Sequence, residues 1–87
     1  MESPYKILIV EDEMIIGANI SLQLSKLGYE VTGIISKGED ALNHVRQNRP
    51  DIIIMDIQLK GHMDGIDTAL SIQKEYPAPI IYLTANT

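Results

Sequence analysis

Ile7-Leu8-Ile9-Val10 runs directly into Glu11-Asp12-Glu13, and the same figure returns twice: Ile52-Ile53-Ile54-Met55 meets Asp56, and Ile80-Ile81-Tyr82-Leu83 meets Thr84. Unbroken apolar runs of this length, bounded by turn or helix signals, read as strands buried on both faces. Strands of that kind belong to parallel sheets, whose strand C-termini share one edge where ligands bind. The reading therefore brings Glu11, Asp12, Asp56 and Thr84 toward one small site. Carboxylates that close repel each other unless a cation joins them. Hard oxygen ligands favour Mg²⁺, which keeps several waters and takes only one or two carboxylates.

Outward from these runs, strands alternate with helices. The pattern predicts a first strand over 6–10 and a helix over 13–27, with Ile16, Ile20, Leu24 and Leu27 at helical spacing, Asp12 as N-cap and Gly28 just past the C-terminus. A second strand covers 30–35. A second helix starts near Gly38 or Glu39, carries Ala41, Leu42 and Val45 on one side, and is stopped by Asn48-Arg49-Pro50. A third strand covers 51–55, and a loop from Asp56 to Asp64 is punctuated by Gly61 and Gly65. A third helix over 66–75 turns Ile66, Ala69, Leu70 and Gln73 inward or half-inward, Tyr76-Pro77-Ala78-Pro79 ends it, and the fourth strand covers 80–83. This order predicts an α/β fold, a doubly wound parallel sheet with helices on both faces. The 87 residues make one domain. It reads as incomplete at its C-terminal end, because the fourth strand would be a bare apolar edge. Self-association or marginal stability of this length of chain is the corresponding expectation.

Composition bounds the function. The chain is 45% hydrophobic and 22% charged, the balance of a folded protein. Its net charge of −5, without a basic stripe, argues against direct nucleic-acid binding. With no cysteine, disulfides, thiolate metal sites and cysteine nucleophiles are excluded, which fits a reducing cytoplasm. Met1-Glu2-Ser3-Pro4 has neither the basic start nor the apolar stretch of a signal peptide, and no apolar run is long enough for membrane insertion.

Taken singly, each acid has a plain explanation. Glu11-Asp12 could be a solvated turn and a helix cap, Asp56 an Asx turn, and Thr84 a β-branched strand end. Their joint placement changes the balance, because strands one and three are usually neighbours at the switch point of a doubly wound sheet. A carboxylate held by Mg²⁺ beside other carboxylates can act as a phosphoryl acceptor, and a threonine hydroxyl nearby can bond a phosphoryl oxygen.

Four stretches in this order, Ile7 to Glu13, Asp51 to Asp56, Met63-Asp64-Gly65 and Pro79 to Ala85, resemble the receiver domain of two-component response regulators. With the order of elements the resemblance covers nearly the whole chain. It implies a flavodoxin-like fold of strand order 2-1-3-4-5, of which the chain holds 2-1-3-4. It implies a signalling switch, not a turnover enzyme, phosphorylated by a sensor histidine kinase or phosphotransfer protein, with a homodimer as a further possibility. Asp56 maps onto the phosphoacceptor. Asp12 maps onto the direct Mg²⁺ ligand, Glu11 onto a ligand acting through water, and Gln58 onto the residue whose backbone carbonyl completes the metal's protein ligands. Thr84 maps onto the hydroxyl that contacts the phosphoryl group, and Ala85 onto a small residue that leaves access to it.

The chain departs from the family pattern in three places. Within these 87 residues the lysine and the signalling aromatic of a fifth strand have no counterpart, nor does an output domain. The loop after Asp56 carries Lys60 where proline is common, and is one residue longer before Asp64-Gly65. Lys60 is poorly placed to replace the missing lysine. His62 is expected to be an exposed loop residue and His44 to face solvent, with Met14 and Met63 in packing or rim positions. Two other functions compete. A small Mg²⁺-dependent phosphohydrolase with an Asp nucleophile needs an acid/base two residues later, where Gln58 cannot serve. An interaction module of the same fold would need no phosphorylation.

Overall fold

The computed structural model describes residues 4–84. Its elements are β1 (Lys6–Val10), α1 (Met14–Lys26), β2 (Glu30–Ile35), α2 (Gly38–Asn48), β3 (Ile52–Asp56), α3 (Gly65–Glu75) and β4 (Ile80–Leu83). The four strands are all parallel in the order β2-β1-β3-β4, as the resemblance implied. Each boundary lies within a residue or so of its predicted place.

Alternation along the strands divides the core. Leu8 and Val10 of β1 and Ile53 and Met55 of β3 point to one face, where they pack with Ala41 and Val45 of α2, Ile72 of α3, Leu59 and Ala78. Every member of this cluster is buried. Helix α1 lies on the other face, its Gly17 against Ile34 of β2, whereas His44 of α2 sits against the neighbouring Gly33. Ile7, Ile9 and Ile54 belong to this second face.

Helix ends follow their chemistry. Gly28 takes φ +95° just after the end of α1, as foreseen. Arg49 closes α2 in the left-handed region with φ 46°, immediately before Pro50, and its guanidinium stacks 4.9 Å above the Tyr76 ring. The N-terminus of α1 differs from expectation. Its cap is Glu13, one residue later than Asp12, and no side chain bonds the first turn. Asp64 does cap α3, its Oδ1 accepting from the Asp67 N–H at 2.8 Å.

Two helix faces also differ. In α1 only Gly17 is buried; Ile20 and Leu24 are half-buried, while Ile16 and Leu27 are exposed. The helix lies chiefly over β2 and β1, so its other flank borders a cleft instead of a packed neighbour. In α3 the buried stripe is Gly65, Thr68, Ala69 and Ile72, and Ile66, Leu70 and Gln73 are exposed. Thr68 can take an inner position because its hydroxyl donates to the Asp64 carbonyl at 2.7 Å, leaving its methyl for the core. Among the described residues β4 pairs with β3 alone, and Ile81 and Tyr82 are exposed.

A carboxylate cluster at the C-terminal edge of the sheet

The register of β1 against β3 aligns Val10 with Met55, so the next residues, Glu11 and Asp56, emerge side by side. Backbone pairing runs on past both points. The Glu11 N–H donates to the Ile35 carbonyl at 2.9 Å, and the Ile57 N–H to the Leu83 carbonyl at 3.1 Å. The acids therefore sit on ordered backbone. One carboxylate oxygen from each of Glu11, Asp12 and Asp56 lies within 4.8 Å of the others.

Glu11 and Asp56 are nearly excluded from solvent, at 4% and 9% exposure, and Asp12 is half-buried. Backbone donors orient all three. The Gln58 N–H reaches Asp56 Oδ1 at 2.9 Å, the Glu13 N–H reaches Glu11 Oε2 at 3.4 Å, and the Lys60 N–H reaches Asp12 Oδ2 at 3.4 Å. The Glu11 carboxyl is pushed up to about 7, first by burial and then by its hydrogen bond to Asp56 and the Asp56 charge. Among the described residues no lysine or arginine forms an ion pair with these acids; the ion pair present, Arg46 with Glu75, is elsewhere. Clustered, part-buried oxygen donors whose charges oppose one another suit a hard divalent cation.

Beside the cluster is a cleft of about 420 Å³. Glu11, Glu13, Asp56, Gln58 and Thr84 give it a polar wall, and Ile16, Ile20 and Leu83 an apolar one. Asp12 borders a second cleft with Ser36, Lys37, Lys60 and Gly61. Glu11, Asp12, Asp56, Gln58 and Thr84 thus gather at one edge of the sheet, and Ala85 lies outside the described residues. Sequence reading did not single out Gly17. A Cβ there would fall 2.7 Å from Ile34 Cγ2, so the glycine lets α1 settle against β2, and at 3.8 Å from Glu11 Cβ it would only touch the first of the clustered acids. A glycine inside an otherwise apolar helical stretch was the signal available.

His44 departs from its expected solvent-facing place. It is half-buried, with Nε2 2.9 Å from Thr32 Oγ1 and its ring in the space left by Gly33; burial lowers its pKa. His62 is exposed, as expected, and Met63 packs beside Gly38.

Comparison with known proteins agrees with this geometry. The response regulator receiver domain family matches residues 7–87. The transcriptional regulatory protein PdtaR of Mycobacterium tuberculosis is 38% identical over 82 residues, 94% of this chain and 40% of that protein. The probable transcriptional regulator ycf27 of Guillardia theta is 41% identical over 85 residues, 98% of this chain and 33% of that protein. The chain thus spans two-fifths or less of these curated relatives. Among solved structures, the signal receiver domain of a modulated diguanylate cyclase from Desulfovibrio desulfuricans G20 superposes with a TM-score of 0.92 at 38% identity, covering 95% of this chain and 66% of that one. Strand order, helix placement and sequence agree: the chain belongs to the response regulator receiver domain family, with its flavodoxin-like fold.

Proposed function

We propose that the chain is the phosphoryl-accepting switch of a phosphorelay, acting in the cytoplasm, with Asp56 as acceptor. The observation that carries this reading is the gathering of the Glu11, Asp12 and Asp56 carboxylates within 4.8 Å at the ends of two adjacent buried strands. The donor is a phosphohistidine on a sensor kinase or phosphotransfer protein. An Asp56 oxygen attacks phosphorus, the P–N bond breaks, and the electron pair leaves with the imidazole, giving an acyl phosphate. The Gln58 N–H holds Asp56 Oδ1 and fixes the plane of the attacking carboxylate. Asp12, Asp56 and the Gln58 carbonyl would hold Mg²⁺, with Glu11 acting through water. When bound, the ion neutralises charge on the phosphoryl oxygens. Thr84, on the rim of the cleft, offers a hydroxyl to the phosphoryl group. The cleft's acidic floor and apolar wall also suit the stem and ammonium of a lysine, the side chain that the family places on a fifth strand.

Acetyl phosphate with Mg²⁺ tests the reading. A hydroxylamine-labile adduct is expected on Asp56 and is lost in Asp56→Asn, which keeps the shape and removes the nucleophile. Labelling that survives Asp56→Asn overturns the assignment. Beryllofluoride binding without labelling would place the defect in the transfer step, and neither response would favour a non-phosphorylated interaction module.

A further inference from the structure

We propose that Gly65 is a positioning residue for Asp56, and that its missing Cβ keeps the Asp56 carboxylate in the cluster. The inference deepens the acceptor reading and rests on it for its consequence.

Gly65 opens α3, and its N–H donates to the Ile57 carbonyl at 3.0 Å, closing the loop back onto the end of β3. A Cβ built on Gly65 would collide with the Asp56 carbonyl oxygen and lie 2.7 Å from Ile57 Cα and 2.8 Å from the Asp56 carbonyl carbon. All three are backbone atoms, so no rotamer relieves the overlap. Gly65 is not among the residues of positive φ, so the demand is for space, not for an unusual backbone.

One side of this contact must yield if a side chain is added. Helix α3 is anchored: Thr68, Ala69 and Ile72 are buried, Asp64 caps its first turn, and the Thr68 hydroxyl bonds the Asp64 carbonyl. The other side is held only up to the sheet edge: Asp56 is buried and the Ile57 N–H bonds the Leu83 carbonyl, but Ile57 is half-buried and Gln58 exposed. With α3 held, part of the displacement reaches the Asp56–Ile57 peptide and the Gln58 amide beyond it. Moving them changes the Gln58 N–H to Asp56 Oδ1 bond and the approach of Asp56 to Glu11 and Asp12. A misplacement of about 1 Å is enough to cost a site of this kind much of its function.

Gly38 supplies the control. A Cβ there would crowd the Thr68 hydroxyl and Met63 Cβ, on α3 and its leading loop, without touching Asp56. Isotope-labelled wild type, Gly65→Ala and Gly38→Ala would be compared by amide NMR, metal-free and titrated with Mg²⁺. In Gly65→Ala the Gln58 amide should shift and lose exchange protection, and Mg²⁺ affinity should fall about tenfold or more. Gly38→Ala should lower the melting temperature yet keep the Gln58 amide in place and Mg²⁺ affinity within about twofold. A folded Gly65→Ala with an unmoved Gln58 amide and wild-type Mg²⁺ affinity overturns the proposal. So does equal loss of affinity in Gly38→Ala, which would mean that any disturbance of α3 suffices. Should Gly65→Ala not fold in buffer, the same comparison is made in a stabilising osmolyte such as TMAO, which favours the compact state. An unchanged Gln58 amide and unchanged Mg²⁺ affinity there overturn the proposal as well. Wild type that binds no Mg²⁺ refutes the metal reading, while the metal-free Gln58 comparison still decides the positioning role.

Discussion

The two faces of the sheet are built from the same strands and finished differently. Under α2 and α3, Leu8, Val10, Ile53, Met55 and Ile72 are sealed between the layers. Under α1, the isoleucines of β1 are equally buried, yet Ile16 is exposed and Ile20 only half-buried, and both border the cleft beside Asp56 with Leu83. A strand between two neighbours is covered whatever happens at its rim, whereas a helix buries only the stripe that meets a partner. The proposed chemistry sits where the second face stays open, within reach of a ligand and backed by the sealed face.

The largest break of that contrast is in the sealed face. Ile72→Ala should cost about 2–5 kcal/mol, because the buried side chain loses its contacts and leaves a cavity. Ile16→Ala should cost well under about 1 kcal/mol, since half of a solvated side chain contributes little. Urea unfolding of both variants decides it, and equal losses would show that α1 is packed as tightly as α2 and α3.

The next effect is at the rim. The folded-state pKa of Glu11, about 7, is raised above its ordinary 4.5, so the folded chain holds an extra proton between these values. Stability should therefore fall as pH rises from about 4.5 through about 7, and Glu11→Gln should flatten that part of the profile. Mg²⁺ favours the charged carboxylates, so it should stabilise the wild type more at pH 8 than at pH 6. Melting curves across this range, with and without the ion, test both statements. A rise in stability through the same window would reverse the sign.

The exposed strand gives a smaller effect. Ile81→Lys places a charge on β4, which among the described residues pairs on one side only, and should reduce self-association of these 87 residues in sedimentation at high concentration without lowering the melting temperature. A fully monomeric wild type would show that the edge is harmless. The smallest effect is on the solvent side of the sealed face. Arg46 grips both carboxylate oxygens of Glu75 at 3.0 Å, joining α2 to α3, but both side chains are about half exposed. Arg46→Ala should cost only about 0.2–1 kcal/mol, and less in high salt.

Much was determined by the sequence alone. Ile52 to Met55 could hardly be anything but a buried strand, and a carboxylate directly after such a run must appear at the sheet edge. Glu11, Asp12, Asp56 and Thr84 were therefore legible as neighbours, because strand polarity places them before any side chain is considered, whereas Gln58 entered only through the family resemblance. What only the tertiary structure decided is which side of each helix finds a partner. Periodicity offered Ile66 and Leu70 for the interior of α3, but α2 and β3 meet the stripe that carries Thr68 and Ile72, and the Thr68 hydroxyl could be satisfied locally. Periodicity likewise could not show that His44 would rest over Gly33, or that Gly17 and Gly65 were needed as empty space. An apolar run states that it will be buried; the shape and chemistry of its neighbours decide against what, and those neighbours come from distant parts of the chain.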